Sequence, residues 1–395
     1  MSLKRVVNQI IRLVFIFCFF VPQLSAGQKA KNIILMVPDG MGLANVTAAR
    51  IFKYGIGKER LALETLKEIG YQSTHSRNSL VTDSAAAASA WACGQKFNNG
   101  EISQHGETGE SPQTILELAK AKGKNTGLVA TATITHATPA AFAAHVKNRA
   151  CENEVARQYI LETQVDVLLG GGKARFKSEK KDKCGAGGDL IAAARDKKYT
   201  VVYTRDDMLK VQNAKKLLGL FSEGPLAPTP KRENDDTLKT NEPSLAEMTK
   251  TALKILEKNK KGFFLLVEGS QVDWANHSHN LEYLIKEVIE FDKAIRVVLD
   301  WVNVNPVRKA ETLIIIVPDH DTGGFAITGP YGSTITEPGQ LVKDGWATGG
   351  HTAVDTMTWS QGPYSQYLGR ALDNTDVFYI MKAALNGSRY IPSNN

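Results

Sequence analysis

Five short apolar runs recur along the chain, and each is followed by a pattern that is typical of a helix. The runs are NIILMV (32–37), TGLVATATI (126–134), VDVLLG (165–170), GFFLLV (262–267) and TLIIIV (312–317). A strand that is apolar on both faces needs cover on both faces, which a parallel sheet between two layers of helices provides. The sequence therefore predicts an α/β fold with a largely parallel central sheet and helices on both faces.

Helices are predicted between these runs, and two polar stretches interrupt the alternation. The predicted helices are 111–122, 187–197, 244–259 and 281–301. The first has Ser111 as a cap and Pro112 in its first turn. Weak periodicity over 171–243 and 328–350 favours surface insertions. Because no repeat or long low-complexity linker divides the chain, we predict a single domain over residues 27–395 that carries these two insertions.

The N-terminus has the three parts of a secretory signal. Lys4, Arg5 and Arg12 form a basic region, the apolar core LVFIFCFFV spans 13–21, and small residues lead up to Ala26. An apolar core of this length is too short to cross a bilayer. We therefore expect cleavage after about Ala26, no association with a membrane, and a periplasmic or secreted protein.

Charge and cysteine content exclude some classes of protein. The formal net charge of +7 falls to +4 without the three basic residues of the signal. The sequence has no block of basic residues, so its charge does not imply a nucleic-acid partner. No C-x-x-C pair is present, which excludes a zinc ribbon. Export favours a disulfide, and we assign it to Cys151 and Cys184 because they flank a Gly-rich stretch. An odd thiol leaves this pairing open, and Cys93 is expected to be free and buried.

Acidic residues and histidines follow four of the apolar runs. They are Asp39; His136 with Thr138; Glu268, Asp273 and His277; and Asp319 with His320. Any one of them has an ordinary structural explanation, such as a turn or a solvated helix face. Because the carboxyl ends of parallel strands meet at one edge of a sheet, the joint pattern predicts a ligand site there. Carboxylates with imidazoles suit zinc, whereas carboxylates with a hydroxyl suit magnesium.

The stretch VTDSAAAASAWACG (81–94) places Ser84 at the start of a predicted Ala-rich helix. On its own, this pattern favours a helix cap formed by Asp83 or Ser84. A helix N-terminus is also an anion site, so the serine is a candidate nucleophile towards phosphorus. It lacks the G-x-S-x-G elbow of esterases, and a group other than a Ser-His-Asp triad must therefore activate it.

Six motifs in series resemble the alkaline phosphatases. DGMG, VTDSAA, THATPAAFAAHVKNR, VEGSQVDWANH, VPDHDTGGF and TGGHTA occur in that family's order between about residues 31 and 362. Each motif alone is weak to moderate, but the series is very specific. The resemblance implies the fold of that family and two zinc ions with one magnesium ion as cofactors.

The resemblance also implies a role for particular residues. One zinc site is implied at Asp273, His277 and His351; a second at Asp39, Asp319 and His320; and a magnesium site at Asp39, Thr138 and Glu268. Ser84 would be the nucleophile, activated by the second zinc, and Arg149 would clamp the phosphoryl oxygens bidentately.

Two positions depart from one well-known bacterial pattern and match the His/Trp branch of the family. His136 stands where the other branch has an aspartate, and Trp274 where it has a lysine. We expect His136 and Asp83 to lie beside the ligands, with direct ligation by His136 an alternative if zinc replaces magnesium. Trp274 is expected on the substrate side. We interpret His279 as a bystander, with exchange for a ligand as the minor alternative, and His75, His105 and His145 as structural.

The function implied is hydrolysis of phosphate monoesters at alkaline pH through a phosphoserine on Ser84, with release of inorganic phosphate. A phosphodiesterase of the same metalloenzyme superfamily is the alternative, because it shares the two-metal ligand set, although Arg149 favours a monoester. A sulfatase is disfavoured because C-x-P-x-R is absent around Ser84. A non-catalytic phosphate-binding protein would be expected to lack the nucleophile or a ligand. Dimers are common in the family, so a homodimer is compatible with the resemblance.

Overall fold

A sheet of ten strands is the centre of the computed structural model, which describes residues 29–177, 184, 187–332 and 337–392. The predicted signal, 1–26, lies outside the described residues. The strands, in chain order, are β1 Asn32–Pro38, β2 Glu68–Ser73, β3 Asn125–Thr133, β4 Val167–Gly171, β5 Tyr199–Val202, β6 Lys216–Leu220, β7 Phe263–Gly269, β8 Thr312–Ile316, β9 Asp321–Thr322, β10 Ala326–Ile327, β11 Asp344–Gly345, β12 His351–Thr352, β13 Thr356–Gln361 and β14 Ala371–Asp373.

The ten strands lie in the order β14-β2-β13-β8-β1-β7-β3-β4-β6-β5. β1 is central and pairs in parallel with both neighbours, so that Ile34 lies opposite Leu265 on β7 and Ile314 on β8. In this sheet β13 is the strand that runs antiparallel to its neighbours. The remaining short strands form the separate pairs β9–β12 and β10–β11. The predicted fold class is confirmed.

Helices cover both faces of the sheet. They are α1 Leu43–Tyr54, α2 Ser84–Cys93, α3 Ile115–Ala121, α4 Ala137–Ala143, α5 Glu152–Leu161, α6 Lys173–Phe176, α7 Leu190–Asp196, α8 Arg205–Lys210, α9 Thr229–Glu233, α10 Asp236–Asn241, α11 Leu245–Leu256, α12 Gln271–His277, α13 Leu281–Asn303, α14 Pro306–Glu311 and α15 Asn374–Asn386. Short 3₁₀ turns lie at Leu63–Thr65 and Ser365–Tyr367. Among the described helices, none is both long and apolar enough to cross a membrane.

Alternate residues of β1 belong to two separate apolar cores. Ile33 and Leu35 pack with α2, α3, α5 and α15, whereas Ile34 and Met36 pack with α1, α11 and α13. All four side chains are fully buried. Complete burial of one such side chain stabilises the fold by about 1.5–3 kcal/mol, so both faces hold the central strand in place. This two-sided burial is the physical reason for the unbroken apolar runs.

The largest error in a predicted helix boundary is at the start of the first predicted helix. The helix expected over 111–122 begins at Ile115, and its cap is Thr114 rather than Ser111. The Thr114 hydroxyl accepts from the Glu117 backbone N–H at 3.1 Å, and the Glu117 carboxylate accepts from the Thr114 N–H at 2.9 Å. This reciprocal capping box satisfies two backbone donors, so it sets the helix start later than the Ser-Pro pair indicated.

The first predicted insertion is more regular than the sequence suggested. The described part of 171–243 supplies β5 and β6, which extend the central sheet at one edge in parallel with β4. Its strands are short and lie among lysines, which hid them in the pattern. The second predicted insertion, 328–350, includes the small β11 strand in its described part. The division into one domain with insertions stays a prediction.

The cysteine assignments agree with the structure. Cys151 and Cys184 form a disulfide with their Cα atoms 5.6 Å apart. Cys93 is free and buried at the end of α2. Burial raises the pKa of its thiol to about 12, although a hydrogen bond with Ser103 opposes the shift. A thiol held in this protonated state is a packing group rather than a nucleophile.

Candidate active site and metal centre

Three central strands end in acidic residues at one edge of the sheet. Asp39 follows β1, Glu268 is the second-last residue of β7, and Asp319 and His320 follow β8. These four side chains, here called the inner cluster, are fully buried. Because β1 lies between β7 and β8, the parallel register brings their carboxyl ends together, as expected for open α/β sheets.

A glycine allows this close approach. Gly40 follows Asp39 with φ +71°, and a Cβ at this position would lie 2.7 Å from both Asp273 Oδ1 and Thr322 Oγ1. Its backbone N–H donates to Asp319 Oδ1 at 3.0 Å. The Asp-Gly pair is therefore a turn, but one that has no room for a side chain and that orients a neighbouring carboxylate.

Ser84 lies beside the inner cluster. Its Oγ is 3.3 Å from His320 Nε2, and that nitrogen is 3.1 Å from Asp319 Oδ2 and 3.5 Å from Asp39 Oδ1. Asp39, Asp319 and His320 form one of the groups whose ligand atoms could surround a single ion. The predicted second zinc set and the candidate nucleophile thus meet at one point.

The start of α2 explains how the serine stays available. Asp83 is the N-cap, and its Oδ1 accepts from the Ala86 N–H at 2.9 Å. Ser84 is the first helical residue, so its hydroxyl is not used in capping. All ten residues of α2 are buried, because alanines permit close packing on every side of the helix. The helix is thereby embedded in the core, with its N-terminus at the cluster.

A second group of ligands lies nearer to solvent. Asp273 and His277 occupy one face of α12, and His351 begins β12; we call these three the outer cluster. His277 Nε2 is 3.4 Å from Asp273 Oδ2 and 3.2 Å from His351 Nε2. Asp273 also groups with His320 and His351 as possible ligands of one ion, so His320 lies between the two clusters.

Each histidine of this centre has its Nδ1 atom engaged. His277 Nδ1 is 2.7 Å from the Gly349 carbonyl, His351 Nδ1 is 2.8 Å from the Thr82 carbonyl, and His320 Nδ1 is 3.1 Å from Thr322 Oγ1. A carbonyl accepts only from an N–H, which places the proton of His277 and His351 on Nδ1. In the neutral rings the Nε2 lone pairs are then free to bind a metal, as outer hydrogen bonds commonly arrange. Without a metal, the hydrogen bond to Asp273 raises the pKa of His277 to about 9.

Sequence reasoning missed Thr322. Its hydroxyl donates to Asp273 Oδ1 at 2.5 Å and lies 3.1 Å from His320 Nδ1. It therefore joins an outer-cluster carboxylate to an inner-cluster imidazole. Thr322 lies two residues after His320, and that spacing places side chains on one face of an extended chain. This signal was present in the motif PDHDTGG but carries little information alone.

A third group surrounds the other side of Asp39. Asp39, Glu268 and His136 are close enough to share one ion, and Thr138 lies beside Glu268. Both oxygens of Asp39 and Glu268 and the Thr138 hydroxyl are buried without hydrogen-bond partners. Such an accumulation of unsatisfied buried oxygens is costly unless a cation binds there. The donors present thus fit metal ions.

The electrostatics of the inner cluster also favour a bound cation. Burial, reinforced by the carboxylates of Asp319 and Asp273, raises the pKa of Asp39 well above its usual value. Burial likewise raises the pKa of Glu268 to about 8. Burial also opposes ionisation of Asp319, but His320 outweighs it and holds the pKa of Asp319 below the usual value. A bound cation would relieve the repulsion and keep the carboxylates ionised.

Arg149 lies between two predicted neighbours of the site. Its Nη1 donates to Asp83 Oδ2 at 2.9 Å, and its Nη2 donates to His136 Nε2 at 3.2 Å. Burial and the Arg149 charge lower the pKa of His136 to about 4. The imidazole is therefore neutral and able to accept this bond. Trp274 packs edge-on against His136, with ring centroids 6.1 Å apart.

The remaining histidines lie apart from the three groups. His145 lies after α4, which ends at Ala143, and its ring contacts Glu117 and the Ser103 carbonyl. His105 stacks on Phe97, and His75 Nε2 lies 3.6 Å from Asp373. These contacts agree with structural roles. His279 Nε2 lies 2.8 Å from the Thr348 carbonyl, so its ring has a partner outside the three groups, and its interpretation as a bystander stays a prediction.

Known proteins are similar to this chain in sequence and in fold. A family model for alkaline phosphatase matches residues 30–344. Alkaline phosphatase 3 of Bacillus subtilis is 33% identical, over 90% of this chain and 91% of its own. Streptomycin-6-phosphate phosphatase of Streptomyces griseus is 31% identical, over 91% of this chain and 92% of its own.

A solved structure agrees with these relatives. Alkaline phosphatase from the Antarctic bacterium TAB5 superposes with a TM-score of 0.79 at 29% identity, covering 92% of this chain and all of that one. A His-to-Asp variant of that enzyme, with Mg bound in its M3 site, superposes with a TM-score of 0.78. The family model and the identity to full-length relatives show that this chain belongs to the alkaline phosphatase family and is a phosphatase.

Proposed function

We propose that this phosphatase hydrolyses phosphate monoesters at alkaline pH, with Ser84 as the nucleophile and inorganic phosphate as a product. The observation that carries the proposal is the position of the Ser84 hydroxyl. It is free of capping, lies at the N-terminus of a buried helix, and is 3.3 Å from His320 Nε2 in a cluster of candidate metal ligands. A hydroxyl so placed can attack a phosphorus atom that the same cluster holds.

Two zinc ions and one magnesium ion are the proposed cofactors. Asp273, His277 and His351 would hold one zinc; Asp39, Asp319 and His320 the other; and Asp39, Thr138 and Glu268 the magnesium. The unpaired buried oxygens support this assignment, as does Mg in the variant of the Antarctic enzyme. When bound, the ions would stabilise the ionised serine oxygen, the leaving oxygen and the phosphoryl charge.

Arg149 is the proposed clamp for the phosphoryl group. A guanidinium can donate two parallel hydrogen bonds to two phosphoryl oxygens. Asp83 and His136 position it from either side, at 2.9 and 3.2 Å. Because His136 accepts through Nε2 while neutral, its proton lies on Nδ1, and we propose that it orients Arg149 rather than binding magnesium. A monoester has the additional terminal oxygen that such a clamp can bind.

The reaction then takes two displacements at phosphorus. Ser84 Oγ forms a bond to phosphorus as the ester P–O bond breaks, and the alcohol departs with a proton. A water molecule next attacks the phosphoserine, and the P–O bond to Ser84 breaks to give inorganic phosphate.

We further propose that the protein acts in the periplasm or outside the cell and folds as one domain. A homodimer is compatible with this proposal.

The test compares Ser84→Ala with Ser79→Ala, a half-buried serine in the preceding loop. Turnover of matched aryl phosphate mono- and diesters is measured at alkaline pH, with zinc and magnesium and then after chelation. We expect Ser84→Ala to abolish monoester turnover and the acid-trapped phosphoserine detected by mass spectrometry, whereas Ser79→Ala keeps both. Full turnover by Ser84→Ala would refute the nucleophile, and preference for the diester would assign a phosphodiesterase.

A further inference from the structure

His279 adopts a backbone conformation that is uncommon for residues other than glycine. It follows α12 with φ +50°, in the left-handed region where glycine or asparagine is more common. The turn is a helix end in which the His279 N–H bonds to the Asn276 carbonyl at 3.1 Å. A backbone at this position does not require an imidazole, so the contacts of the ring must explain its presence.

The ring of His279 makes two specific contacts. It stacks on the indole of Trp346, with centroids 5.0 Å apart and planes inclined by 12°. Its Nε2 lies 2.8 Å from the Thr348 carbonyl, and because a carbonyl only accepts, Nε2 carries the proton. That nitrogen is therefore a hydrogen-bond donor and has no lone pair for a metal.

Trp346 is itself fixed on its other side. Its ring packs against Phe325 with centroids 4.7 Å apart, and its Nε1 donates to Asp344 Oδ2 at 2.7 Å. It belongs to the side chains packed on the core around α13. The stacked His279 ring therefore joins the end of α12 to a segment that is anchored in the core.

The segment so joined, 346–350, orients the outer cluster. The Gly349 carbonyl accepts from His277 Nδ1 at 2.7 Å, and His351 follows directly. On the far side the segment is held by backbone bonds from Gly323 to Gly350 and from Ala347 to Gly323, at 2.8 and 2.9 Å. His279 closes the near side. Without it, Gly349 would depend on backbone contacts in a glycine-rich, exposed stretch, and His351 would keep only its bond to the Thr82 carbonyl and its pairing with Thr322.

We propose that His279 is a positioning residue for the outer cluster: stacked on Trp346 and bonded to Thr348, it fixes segment 346–350 and thereby orients His277 and His351. This inference rests on the proposed function only in taking zinc as the ion of that cluster. It predicts a role in metal affinity, with no part in the chemistry at Ser84. Loss of an outer hydrogen-bond partner typically weakens metal binding about 10- to 100-fold.

The test uses His279→Asn, because asparagine tolerates the left-handed backbone but cannot stack on Trp346. Metal-free protein is titrated with zinc against a chromophoric chelator, and the rate of zinc loss to excess chelator is measured separately. We expect zinc at the outer cluster to bind about 10- to 100-fold more weakly than in the wild-type protein and to dissociate faster. The kcat at saturating zinc should match that of the wild-type protein. His75→Asn, an exposed histidine away from the clusters, is the matched control.

A second variant guards against a general folding defect. Trp346→Leu removes the other half of the stack, and the double variant completes a cycle. If the two side chains act as one unit, the double variant should bind zinc about as weakly as the weaker single variant. Additive losses, or a zinc affinity of His279→Asn within about twofold of His75→Asn, would overturn the proposal. Ser84→Ala separates the two hypotheses, because it should lose turnover while the outer cluster, which Ser84 does not contact, still binds zinc as in the wild-type protein.

Discussion

The inner and outer clusters hold similar ligands by different means. His320 of the inner cluster has no exposed side-chain surface, whereas the side chains of His277 and His351 are 37% and 17% exposed. Inner residues lie at the ends of paired central strands, so sheet register sets their positions. Outer residues lie on a short helix and after a glycine-rich stretch, and individual hydrogen bonds orient them. The inner cluster should therefore be rigid and intolerant of substitution, and the outer one adjustable.

The largest expected difference is in turnover. Asp319→Ala removes an inner ligand next to Ser84 and should lower kcat/KM about 10³-fold, or about 4 kcal/mol, at any zinc concentration. His277→Ala should cost less, and added zinc should restore part of the activity, because solvent can reach the vacant ligand position. The measurement is kcat/KM for an aryl monoester as a function of zinc. Equal losses that zinc does not relieve in either variant would contradict the comparison.

A smaller effect concerns the stability of the metal-free protein. The pKa of Glu268 is about 8 when folded, raised from 4.5 by burial. Its contribution to stability is therefore complete below about pH 4.5 and is lost as the pH rises through about 8. Glu268→Gln should thus stabilise metal-free protein at pH 9 by a few kcal/mol, from about 1.4 kcal/mol per pKa unit, and lower its turnover.

Urea unfolding in chelator at pH 6 and pH 9 tests this expectation, with exposed Glu59→Gln as the control. The gain in stability from Glu268→Gln should be larger at pH 9 than at pH 6. A gain that does not depend on pH would show that ionisation of Glu268 does not destabilise the metal-free protein. The proposed repulsion among the carboxylates of the inner cluster would then be refuted.

The smallest effect should come from Thr322, which joins the two clusters. Thr322→Val keeps the shape but loses the donor to Asp273 and the partner of His320 Nδ1. Zinc affinity should fall about 10- to 100-fold, or about 1.4–2.8 kcal/mol, at both of the proposed zinc sites. Thr322→Ser keeps the hydroxyl and should restore most of the affinity. If only one zinc is affected in competition titrations, the clusters are not coupled through this residue.

The accuracy of the sequence-based predictions differed between elements for physical reasons. Each of the five apolar runs became a strand of the central sheet, because a strand buried on both faces must be apolar at every position. The edge strand β5 and its neighbour β6 were not predicted, since they are short and lie in a Lys-rich stretch. The start of α3 was misplaced because two capping patterns overlap, and the reciprocal capping box of Thr114 and Glu117 sets the start instead of Ser111.

Within the site, the residues that carry recognisable chemistry were identified before any geometry. Four of these residues follow apolar runs, and parallel strands bring the ends of such runs together at one edge of the sheet. They are Asp39, Glu268, Asp319 and His320. Thr322 and His279 were not recognised, since threonine and histidine have many ordinary uses. Their significance lies in partners 49 and 69 residues away in the chain.

The sequence alone thus determined the layered α/β architecture, the sheet edge that gathers the acids and histidines, and the family resemblance of the motifs that carry them. These follow from local periodicity and from residue chemistry, which the chain carries at every position. Only the tertiary structure decided which nitrogen of each imidazole is free, which carboxylate oxygens lack partners, and which side chains hold the outer ligands. Those properties depend on distances between residues remote in sequence, and no local pattern encodes a hydrogen bond across such a separation.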